Sequence, residues 1–526
     1  MAQKADDFAP FPVKEQFPAI DYCLTSPPPW PESVLLGFQH YLVMLGTIVL
    51  IPTILVPQMG GGHEEKARVI QNLLFVAGIS TLLQSSLGTR LPIVIGGSFT
   101  YLLPTVSIIL SDRFVAMADP HERFVHTMKA IQGAVIAASV FQVVIGFCGP
   151  WRIIVRFLSP LAAVPMVTLA GLGLFNFGFP VVAQCVEIGL PSLLLLLVLS
   201  MYVPHAILKR RVVFDRFSVL ITVPIIWAYA HILTKSGVYN HSSLTTQFNC
   251  RTDSAGLIGA SSWIRVPYPF QWGTPTFNAG DSFAMMAASF ASLIESTGTI
   301  VAASRLASAT SVPPSILSRG VGWQGVGVFL SGLFGTANCS APSVENTGLL
   351  GLTRVGSRRV VEISAVFMIF FSILGKFGSL LASIPLPIAA AVNCLLFGYV
   401  AATGLGLLQF CNLNSLRTKL VLGFSLFIGL SVPQYFKEFQ KVAGYGPVHT
   451  PTRAFNDIIN VIFSSPATVA AMVAYLLDCT LFLHNSETQR DRGWHWWEKF
   501  RSYKTDDRSE EFYALPFNLS KFFPSL

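Results

Sequence analysis

The sequence predicts an all-α integral membrane protein with fourteen transmembrane segments in two inverted repeats of seven. Each repeat is expected to hold one short interrupted segment, an extended stretch followed by a half-helix. Three observations predict this. Of the 526 residues, 52% are hydrophobic and only 12% charged, and the mean hydropathy is +0.58, whereas a soluble domain carries about 25% charged residues. Apolar runs of spanning length recur along most of the chain. Two further apolar stretches, too short or too broken to span simply, stand at matching places in the two halves.

Residues 1–30 are polar and proline-rich and lack the apolar core of a secretory signal, so insertion is expected to begin with the first span. A span needs about 20 apolar residues. The runs at 33–56, 70–87, 128–149, 155–174, 182–203, 214–233, 281–304, 319–335, 359–380, 386–408, 417–435 and 461–483 satisfy this. The interrupted segments are 91–110 and 341–353. Each follows a Gly-Thr pair, Gly88-Thr89 and Gly335-Thr336, and the stretch Leu158 to Pro165 has a loose counterpart in Ala382 to Ala389. Seven is odd, so the second half must run opposite to the first. The expected organisation is a cytoplasmic tail 1–30, a first repeat 31–233, an extracellular loop 234–280, a second repeat 281–484 and a cytoplasmic tail 485–526.

Charge supports that orientation and excludes another class. The formal net charge is +8, but the basic residues lie between apolar runs, as membrane topology places them, and not on a polar nucleic-acid-binding face. With both termini inside, the short loops carry fourteen basic residues inside, Lys209, Arg210 and Arg211 among them, against twelve outside. The outside set includes the long 234–280 loop, which counts little, and Arg490, Arg492, Lys499, Arg501, Lys504, Arg508 and Lys521 add to the inside. The 234–280 loop also holds the glycosylation sequon Asn240-His241-Ser242. The eight cysteines are scattered without a CxxC or Cys/His cluster, so they are expected as free thiols, with no metal site, cofactor or disulfide framework. No HExxH run or nucleophile elbow in a suitable context points to an enzyme.

Two carboxylates carry the chemistry. Glu295 sits near the middle of the 281–304 run, where a charge costs about 2.5–3.5 kcal/mol and a central leucine returns only about 0.5 kcal/mol. That run is poor in leucine and rich in Ala, Ser, Gly and Thr, the composition of a helix packed among helices. Ser292, Glu295 and Thr299 share one face. The competing reading is a structural Glu bonded to a neighbouring helix. Glu345 opens the second interrupted segment after Pro342, and a helix starting there exposes amides that bind a carbonyl oxygen or an anion. The matching first segment reads Gly96-Gly97-Ser98-Phe99-Thr100-Tyr101, and Phe99 offers a ring on which a flat ligand can stack. Gln39 and His40, polar within the first span, suit ligand contact and helix-to-helix bonding equally. Two acids, an aromatic face and helix-start amides fit a neutral heterocycle: ring N–H groups meet the carboxylates and carbonyls meet the amides. A buried carboxylate pair is also a natural proton store.

The run Glu345-Asn346-Thr347-Gly348 through Thr353-Arg354 resembles the signature of the nucleobase–ascorbate transporter family, in the xanthine/uracil permease superfamily. That signature reads Gln, Glu or Pro, then Asn-x-Gly, four residues, and Thr with Arg, Lys or Gly. Glu295-Ser296-Thr297-Gly298 and Gln39-His40 are similar to two further family motifs. The resemblance covers about residues 30–485 and is nearest to the plant branch. It implies a core domain of segments one to four and eight to eleven moving against a gate domain of segments five to seven and twelve to fourteen. Glu295 and Glu345 would hydrogen-bond the base, Phe99 would stack on it, and the amide of Phe99 or of Val344 would meet a carbonyl. Ser98 belongs to the same binding set, Asn346 would hold the site together, and Gln39, His40 and Thr299 would support coupling or structure. The implied function is secondary transport of purines, uracil or xanthine-like bases by proton symport at the plasma membrane, in a homodimer. The alternative is sodium-coupled transport of ascorbate or another organic anion. The family's ascorbate carriers have Pro where this chain has Glu345, which points to bases. Some members carry Asp or His at the position of Thr299, which cannot titrate.

Overall fold

A computed structural model describes residues 12–207, 212–253, 257–481 and 490–523. Lys209, Arg210 and Arg211, read as inside charges, lie outside the described residues, as do residues 1–11 of the first tail. Long apolar helices dominate. Trp30–Met59 starts on a proline in its first turn and ends at Gly60, whose φ of 92° suits the left-handed cap that only glycine adopts cheaply. Eight described helices are long and apolar enough to cross a bilayer, and two bent pairs raise the number to ten. The chain is therefore a multi-pass membrane protein.

Burial separates these helices by composition. In Ala279–Leu306, the run poor in leucine, 83% of the apolar window is buried, against 28% in Leu416–Ala443. The small residues of the first let neighbouring backbones approach, and the large apolar residues of the second are left mostly uncovered by the rest of the chain. Gly348 shows such an approach: a Cβ there would lie 2.1 Å from the carbonyl oxygen of Leu396, in the helix Leu386–Gly406.

The two interrupted segments meet. Strand β1 (Ile95–Gly97) pairs antiparallel with β2 (Ser340–Pro342), with Gly96 opposite Ala341. Asn338 clips the crossing: its Oδ1 accepts from the Ser98 amide at 2.7 Å and its Nδ2 donates to the Ser98 carbonyl at 3.1 Å. From β1 the chain turns through Phe99–Tyr101 into the helix Leu102–Ile109, and from β2 it enters the helix Val344–Thr353.

Several spans expected as simple helices are broken. The 155–174 run divides into Pro150–Arg156 and Pro160–Leu172. The 359–380 run bends by 114° after Ile373, and the last run bends by 79° between Arg453–Phe463 and Pro466–Thr480. Prolines 160 and 466 each stand at the first position of a new helix, where the missing N–H costs nothing.

The expectation of free thiols throughout is corrected. Cys185 and Cys250 form a disulfide across 65 residues of sequence; spacing alone does not disclose such a pairing. It ties the 234–280 loop to the base of the helix Val186–Leu197. In the C-terminal tail, Trp496 and Trp497 pack on the core around Phe410, and Trp494 lies under Arg492 and Arg501.

Candidate functional site

The β1–β2 crossing sets two helix starts beside each other, and both are capped by serine. Ser98 Oγ accepts from the Thr100 amide at 3.3 Å, and Ser343 Oγ accepts from the Asn346 amide at 3.1 Å. Phe99 therefore leads one start while Val344 and Glu345 lead the other, their backbone amides ahead of the first intrahelical bonds. The packed Ala279–Leu306 helix passes alongside and contributes Glu295 and Thr299. A small cavity lies between them, bounded by Ser98, Phe99, Leu174, Glu295, Thr299, Val344 and Glu345 among others.

Both acids reach this cavity and both accept hydroxyl hydrogen bonds. Glu345 accepts from Thr47 of the first helix. Glu295 accepts from Thr100 on one oxygen and from Ser465 on the other. Neither carboxylate has an arginine or lysine within ion-pair distance among the described residues. Each is held only by neutral donors, which leaves it able to exchange a hydroxyl for a ligand N–H.

The remaining expected residues stand behind the cavity. His40 Nδ1 donates to Asn346 Oδ1 at 2.9 Å, and Asn346 Nδ2 donates to Ser343 Oγ at 3.0 Å. This relay fixes the serine that caps the Glu345 helix. Gln39 is fully buried and faces elsewhere: its Nε2 donates to the Arg216 carbonyl at 2.9 Å and its Oε1 accepts from the Leu220 amide at 3.2 Å. Gln39 is thus a clip between the first helix and Val212–Lys235. Thr299 lines the cavity, but its hydroxyl donates to the Glu295 carbonyl at 2.9 Å and is occupied within its own helix.

The structure adds residues that the sequence reading missed. Phe177 stacks on Phe99 with ring centroids 3.8 Å apart and planes 16° from parallel. Ser465 caps the helix Pro466–Thr480 and donates to Glu295. Asn338, Thr47 and Thr100 support the crossing and the acids. Ser464-Ser465-Pro466 carried a usable signal, since serine before proline marks a helix start. For Phe177, one of 41 phenylalanines, no such signal existed.

A model described as a permease family, Xan_ur_permease, matches residues 31–438. The chain is 64% identical over 525 residues to "Nucleobase-ascorbate transporter 6" of Arabidopsis thaliana, covering 100% of this chain and 99% of that one. It is 62% identical over 523 residues to "Nucleobase-ascorbate transporter LPE1" of Zea mays, covering 99% of each. Among solved structures it is similar to SLC26A9, at 12% identity and a TM-score of 0.49, over 76% of this chain and 62% of that one.

Proposed function

Because this chain belongs to the nucleobase–ascorbate transporter family, in its plant branch, we propose that it carries nucleobases across the plasma membrane by proton symport. The observation that carries this reading is that Glu295 and Glu345 open on the same cavity as the ring of Phe99. A purine, uracil or xanthine-like base brings a flat face for the ring, N–H donors for the carboxylates and a carbonyl for the amides at Phe99 or Val344. Ser98 shapes that amide start, and the His40–Asn346–Ser343 relay holds the other. Each hydrogen bond to a charged acceptor in a dry site contributes about 1.5–3 kcal/mol.

In this reading the two serine-capped half-helices ride in a core (segments one to four and eight to eleven) that slides against a gate (segments five to seven and twelve to fourteen). The termini are cytoplasmic and the chain works as a homodimer. Glu345, buried and held only by a threonine hydroxyl and its own helix start, is the group we assign to the coupling proton. The disulfide supports an outside location for the 234–280 loop, since such bonds persist in oxidising compartments.

Sodium-coupled ascorbate transport is the second reading, favoured by Thr299 standing where a titrating residue would assist proton coupling. Uptake of labelled uracil, adenine, guanine, xanthine and ascorbate, with pH and sodium varied separately, separates the two. Saturable uptake of a base that rises as external pH falls is expected. Sodium-dependent uptake of ascorbate alone would overturn the proposal.

A further inference from the structure

We infer that Phe177 and Ser465 are surrogates for the substrate: they fill the stacking face of Phe99 and the donor position on Glu295 that a substrate must take over. The inference rests on the transport reading above and deepens it. A base offers two things at once, a flat ring and an N–H donor. Phe177 supplies the ring, stacked at 3.8 Å on Phe99. Ser465 supplies the donor, its hydroxyl on Glu295.

Both groups come from one unit. Phe177 ends the turn Phe175–Phe177 that follows the helix Pro160–Leu172, and Ser465 caps Pro466–Thr480. Those two helices pack on each other. Their join is close: a Cβ added to Gly173 would lie 2.7 Å from Pro466 Cβ. Gly173 and Gly178 flank the phenylalanine turn, and the missing side chain at Gly173 lets the turn begin close against Pro466. On the proposed division this unit belongs to the gate, while Phe99, Thr100 and Glu295 belong to the core. The surrogate contacts therefore cross the seam along which the core would slide.

Physical chemistry favours such an arrangement. An acid buried without donors is costly, and an uncovered ring face forfeits its contacts. Gate groups that meet both demands hold the core in place until a substrate displaces them. A substrate that meets them instead releases the hold, so movement follows loading. Binding must compete with the surrogate, and the apparent affinity is lowered by the fraction of sites the surrogate closes.

The test is the kinetics of Phe177→Ala and Phe177→Leu, with uptake normalised to surface protein. Wild-type uptake of a base is the control for the transport reading alone. Losing a stacked pair worth about 0.5–1.5 kcal/mol should lower the apparent KM about 2- to 12-fold. An unchanged KM overturns the inference, because a ring that merely packs has no competitor's role. A raised KM overturns it too, because it makes Phe177 a substrate contact. A second readout needs no uptake. Thr100→Cys with Ser465→Cys replaces two hydroxyls that share Glu295, and oxidant should cross-link the pair in substrate-free full-length protein. Failure of that cross-link sinks the surrogate even where the wild type transports.

Discussion

Glu295 is held by hydroxyls from two different elements, Thr100 and Ser465, and its worth to a ligand lies in its charge. Glu295→Gln keeps the shape and removes the charged acceptor. It should abolish uptake while surface delivery, measured by biotinylation, stays normal; full activity would remove Glu295 from the site. Glu345→Gln, beside Thr47, should still bind a base but flatten the pH dependence of uptake or change selectivity. An unaltered pH profile and selectivity would argue against its assignment to the proton. Both acids could be singled out from sequence because a carboxylate in an apolar run is expensive and calls for a reason. Phe177 and Ser465 could not. Each is an ordinary residue for a loop or helix start, and only the fold brings them to Phe99 and Glu295. Gln39 shows the converse: its polarity drew attention, but it is not among the residues that bound the cavity, and its amide bonds the Arg216 carbonyl and the Leu220 amide.

Helices and strands were readable where composition departs from the ordinary. The small residues of Ala279–Leu306 announced a buried helix, and paired Gly/Pro interruptions announced two broken segments, though not that they would pair as β1 and β2. Breaks at Pro160 and Pro466 were read through as continuous spans because the apolar run continues on both sides, and hydropathy does not register a change of direction. Gly348 is the element-scale test. Its missing Cβ lets Val344–Thr353 lie against the Leu396 carbonyl, so Gly348→Ala must push the two helices apart. Overpacking of this kind costs about 1–3 kcal/mol. A lower melting temperature of the purified protein and slower uptake are expected; wild-type stability and rate would show that the helices do not meet there.

Over the whole molecule, two long-range ties hold the ends of the fold. Asp478, fully buried, accepts from Arg417 at 2.9 Å and from Ser159 at 2.6 Å, and it pairs with Arg492 at 2.9 Å. Asp478→Asn leaves two guanidinium groups without their counter-charge, a loss of about 3–5 kcal/mol, and surface abundance should fall sharply; normal abundance would show that the tail arginine is dispensable. The Cys185–Cys250 bond should protect Cys250 from maleimide until reductant is added, and Cys185→Ser should lower the melting temperature. Labelling of Cys250 without reductant would contradict the pairing. This tie was beyond sequence reasoning because its partners are distant in the chain, whereas the family signature from Glu345 to Arg354 lies in one continuous run. The account depends most on a base being held by Glu295 and Glu345 in one cavity. Equilibrium binding of labelled uracil and xanthine to purified wild type and Glu295→Gln tests this directly. Saturable binding by the wild type, weakened about tenfold or more in the variant as a charged hydrogen bond is lost, is the predicted result; equal binding by both proteins would contradict it.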